Sequence, residues 1–62
     1  MSFQLLQGAS ELFEGYPGFR DQWDQIKDGD VAAEESLVFQ FLKAYKNEPR
    51  VAVLISLYGM SF

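Results

Sequence analysis

Sixty-two residues without a single cysteine or histidine leave packing as the only means of holding a fold together. A disulfide needs paired cysteines, and a structural zinc needs cysteine or histidine ligands. A chain of this size buries only about 60% of the surface that its unfolded form exposes. Ordering it costs roughly 1.5 kcal/mol per residue, which apolar burial must nearly cancel. The means are present: 48% of the residues are hydrophobic, and they include six Phe, three Tyr and one Trp. Small domains without staples rely on tight packing or on association. We therefore expect a single domain over residues 1–62, in which a homodimer is a natural way to complete the burial.

Nine acidic residues against five basic ones give a net charge of −4. Recognition of nucleic acid calls for a clustered basic surface. Here Lys43, Lys46 and Arg50 are the only local positive concentration, and three charges make no patch. Direct nucleic-acid binding and attachment to an anionic membrane are both disfavoured. The first fifteen residues, MSFQLLQGASELFEG, carry acids where a secretory signal has a positive region. The longest uncharged run, residues 51–62, is well short of the ~20 apolar residues of a bilayer span. The expected location is the cytoplasm.

Apolar periodicity predicts four helical segments. The first spans residues 3–14 with Ser2 as N-cap, and Leu5, Leu6, Ala9, Leu12 and Phe13 line one face. Gly8 inside it costs up to ~1 kcal/mol relative to Ala, which suggests a close backbone neighbour or an interrupted helix. After it, Pro17-Gly18 suits either a type II turn or a helix start. A short second helix then runs to Asp28, with Phe19, Trp23 and Ile26 as a narrow stripe. The third is the central helix. Asp30 caps it, and Leu37, Val38, Phe39, Phe41, Leu42 and Tyr45 cover roughly 200° of its circumference. Asn47-Glu48-Pro49 stops it, because the residue before a proline is pushed out of the α region.

The fourth segment, residues 51–58, fits two periods. Val51, Leu54, Ile55 and Tyr58 share a helix face, whereas Val51, Val53, Ile55 and Leu57 alternate as a strand would. Pro49 before it and Gly59 after it favour the helix. Gly15, Gly29 and Gly59 each come directly after a periodic segment, where a left-handed C′ residue would sit. The expected fold is all-α, a compact bundle of three or four short helices. The alternative is an α+β chain with a strand over residues 51–58 paired with residues 3–7.

Little catalytic chemistry is available. Without His or Cys, a serine nucleophile needs a lysine base, and Ser2, Ser10, Ser36, Ser56 and Ser61 all lack a nucleophile-elbow context. DQIKDGDVAAEE does not match a calcium-binding EF-hand loop. No enzyme activity, metal or cofactor is expected. Residues 7–13, QGASELF, resemble the Gln/Leu/Phe peptides that dock on bacterial sliding clamps, but Leu12 and Phe13 read as a buried helix face.

Two surfaces remain as candidates for partner binding. The last thirteen residues, RVAVLISLYGMSF, contain one charge, Arg50, and are apolar nearly all round as a helix. Val53, Leu57, Tyr58, Met60 and Phe62 are the apolar candidates, serving a second copy of the chain or another protein. The other surface is acidic: Asp21, Asp24 and Asp28 on one helical face, with Asp30, Glu34 and Glu35 close by. In size and charge alone the chain resembles small acidic inhibitors encoded by bacteriophages. That resemblance implies mimicry of DNA phosphates against a nucleic-acid-binding protein. The same acids are accounted for by a solvated face and a cap. The favoured expectation is a non-catalytic binding or assembly module acting through its apolar end.

Overall fold

Two prolines set where helices begin. In the computed structural model, which describes residues 3–62, Pro17 and Pro49 each open a helix, with Tyr16 and Glu48 as the preceding caps. Four α-helices result: α1 (Phe3–Leu12), α2 (Pro17–Asp24), α3 (Val31–Ala44) and α4 (Pro49–Leu57), with a 3₁₀ turn (Phe13–Gly15) between α1 and α2. The fold is a small all-α bundle. Ser2, the expected cap of α1, lies outside the described residues.

Residues 51–58 are not a strand, and residues 3–7 have no strand partner there; both lie in or at the end of helices. The cause is visible at both ends of α4. Glu48 is extended (φ −70°, ψ 133°), as a residue before proline must be, and its carbonyl accepts from the N–H of Ala52 at 2.8 Å. At the far end Gly59 has φ +63°. Its N–H donates to the Ser56 carbonyl (3.3 Å), and the N–H of Met60 donates to that of Ile55 (3.1 Å). This pair of bonds is a Schellman cap. The β-branched residues of α4 are overruled by its two ends.

Three boundaries differ from the expected ones. Gly15 is not left-handed; α1 tightens instead into the 3₁₀ turn, where the N–H of Tyr16 donates to the Phe13 carbonyl at 2.9 Å. Helix α2 stops at Asp24 rather than Asp28. Its end is tightened by i→i+3 bonds from Gln25 to Gln22 (3.3 Å) and from Ile26 to Trp23 (3.2 Å). Helix α3 ends at Ala44, and the N–H of Glu48 closes a turn onto the Tyr45 carbonyl (2.9 Å). Its start is as expected: Asp30 Oδ1 accepts from the N–H of Ala33 at 3.2 Å.

The core joins α1 to α3. Leu5, Leu6, Ala9 and Phe13 meet Leu37, Val38, Phe41 and Leu42, and Val51 is the one fully buried residue of α4. Phe39 belongs to the wide apolar arc of α3 yet is 46% exposed; it lies outside the core cluster, with the Phe62 ring against it. Helix α2 buries nothing completely but lays Phe19 and Trp23 over the core. Phe13 is the hub, with its ring edge-on to Phe41 (4.9 Å, 87°) and to Trp23 (5.6 Å, 66°). Such pairs add about 0.5–1.5 kcal/mol each beyond the area they bury. Trp23 and Phe13 are therefore structural, and the buried Phe13 is unavailable to dock on a clamp. The Cα radius of gyration, 10.8 Å, is close to the ~10.6 Å of a folded chain this long.

Candidate functional site

Helix α4 turns one side inward and one side out. Val51 is buried and Leu54 and Ile55 are half-buried, which leaves Val53 and Leu57 on the outer side. They sit four residues apart, neighbours on the helix surface. Val53 is 60% exposed and Leu57 is 72% exposed. Neither finds cover among the described residues.

Beside them runs an open groove of about 400 Å³ between α1 and α4. Gly8, Leu12 and Leu54, the half-buried members, form its floor; Val53 and Leu57 stand at its wall, with Glu11 and Arg50 as its charged residues. Gly8 leaves room here for the side chain of Leu54. A Cβ at that position would lie 3.1 Å from Leu54 Cδ1. The neighbour that the mid-helix glycine admits is thus a side chain of α4 rather than a backbone. Gly8 and Leu12 were not among the candidates read from the sequence. The signal was there, since a glycine inside a helix has to be explained by what it lets in.

The five apolar candidates do not form one surface. Val53 and Leu57 flank the groove, and Tyr58, at the C-cap of α4, is 37% exposed. Met60 turns back through the Schellman cap and packs against the core. Phe62 lies on the α3 side, its ring edge-on to Phe39 (5.6 Å, 71°).

The acidic candidates are dispersed as well. Asp21 and Asp24 are on α2, and Asp24 pairs with Arg20 (Nε to Oδ2, 3.5 Å). Asp28 falls in the turn beyond the helix, so the three aspartates do not share a helical face. Asp30 is engaged as the cap of α3, and Glu34 and Glu35 are half-buried in its first turns. Among the described residues no polar or charged side chain is buried, and no three acidic residues are grouped as metal ligands would be. No helix among them is long and apolar enough to cross a membrane.

Comparison with protein-family models, with curated proteins and with solved structures gives no match to this chain.

Proposed function

We propose that this chain is a non-catalytic binding or assembly module of the cytoplasm that engages a protein surface, in the first place that of a second copy, through the outer face of α4 and the groove beside it. The observation that supports this is the exposure of Val53 and Leu57 side by side over an apolar groove. Large contiguous apolar patches on soluble proteins mark interaction sites. Anchors at i and i+4 beside a groove also match the way helices dock on one another. Each such side chain, if fully buried across an interface, contributes roughly 1.5–3 kcal/mol.

A stable interface takes about 800 Å² per partner. Val53 and Leu57 alone fall short of that, so Tyr58 and the α1 wall of the groove have to take part. Sedimentation velocity on the purified chain tests the reading. The wild type should shift from monomer to dimer between low and high micromolar concentration, and Leu57→Asp should remain monomeric throughout. A wild type that stays monomeric at high micromolar concentration removes self-association.

A further inference from the structure

We propose that residues 59–62 act as a displaceable strap that holds the end of α4 against α3, with Phe62 seated on Phe39 as its clasp. The bundle grips α4 on one side only: Val51 is buried and Leu54 and Ile55 are half-buried, while Val53 and Leu57 on the outer side are exposed. Residues 59–62 restore the hold from the other side. The Schellman cap at Gly59 reverses the chain, Met60 packs on the core, and the Phe62 ring reaches Phe39.

Phe62 borders two clefts at once. One, about 240 Å³, lies against Lys46, Ala52 and Ile55 of the α3–α4 side; the other, about 540 Å³, lies against Ser36, Phe39 and Lys43 of α3. The ring is therefore the partition between them, held by an aromatic pair and left 42% exposed. A single pair of this kind shifts an equilibrium by about 2- to 12-fold. The clasp can thus open while the core of α1 and α3 stays closed. Opening exposes Phe39 further and joins the two clefts into one trough in which Phe39 and Ile55 lie among Lys43, Lys46 and other polar residues. These contacts are made toward α3, so the strap works whether or not the outer face of α4 is occupied.

Native-state hydrogen exchange on dilute, monomeric protein tests it. The amides to monitor are those of Tyr58, Gly59 and Met60, which donate to the carbonyls of Leu54, Ser56 and Ile55. Phe62→Ala and Phe39→Ala should each speed their exchange by about 2- to 12-fold and leave the amides of Val38, Phe41 and Leu42 unchanged. The double variant should exchange no faster than either single one, whereas Phe62→Tyr should keep wild-type protection. Unchanged exchange at the three amides in Phe62→Ala would overturn the strap. So would a double variant whose acceleration is the product of the two, or core amides that accelerate equally.

Discussion

Helices α3 and α4 are both rich in apolar residues, and the bundle treats them differently. Helix α3 buries Leu37, Val38, Phe41 and Leu42 between α1 and α2, whereas α4 buries only Val51. The difference is one of neighbours. Helix α3 has α1 on one side and the rings of α2 on another, while α4 leans on α1 at Gly8 and has no helix over its outer face. Apolar sequence says how much surface could be buried; position in the bundle decides how much is. The surplus on α4 is what makes it the candidate interface.

The comparison breaks most severely at Phe13, whose ring packs on Phe41 of α3 and on Phe19 and Trp23 of α2. Phe13→Ala should cost about 3–5 kcal/mol, a large part or all of the ~3–9 kcal/mol expected for a domain of this length. Urea titration followed by far-UV circular dichroism should show a midpoint far below that of the wild type. Val51→Ala should cost less. Two buried carbons contribute about 1.5 kcal/mol, with a further cost for the cavity left behind. Hydrogen exchange should then show α4 amides opening well before those of α3. Equal acceleration in both helices would mean that α4 is as firmly built in as α3.

Gly8→Ala has a smaller effect, of opposite sign. Alanine gains helix propensity, and the half-buried Leu54 beside an open groove can rotate away from the new methyl group. A net gain of about 0.5 kcal/mol in the urea titration is expected. Because the methyl raises the groove floor, dimerisation by sedimentation should weaken at the same time. Smallest on the fold is Leu57→Asp. On dilute protein its urea midpoint should be indistinguishable from the wild type, as surface changes usually stay within about 0.5 kcal/mol.

Much of this architecture was legible in the residues. Asp30, Pro49 and Gly59 act as punctuation through strong local chemistry, so the start of α3 and both ends of α4 could be read without a structure. The ends of α1 and α2 could not. Whether Gly15 turns left-handed, and whether the chain from Gln25 to Asp28 stays helical, depends on how Phe13 and Trp23 settle on the core. Those are long-range contacts. The candidate site was half legible for the same reason. Val53 and Leu57 emerge from a helix that is apolar all round, whereas the fate of Met60 and Phe62 depends on the direction in which the Gly59 turn sends the chain. Phe39 misled because an arc of 200° marks the central helix without saying which edge falls outside the core.

The claim that the outer face of α4 is the interface is tested most directly by an NMR dilution series on the wild-type chain. Amide shifts that change with concentration should concentrate at Gly8, Leu12, Val53, Leu57 and Tyr58, and should vanish in Leu57→Asp. Shifts that map instead to the stretch from Asp21 to Glu35, or an absence of any concentration dependence up to millimolar protein, would contradict it.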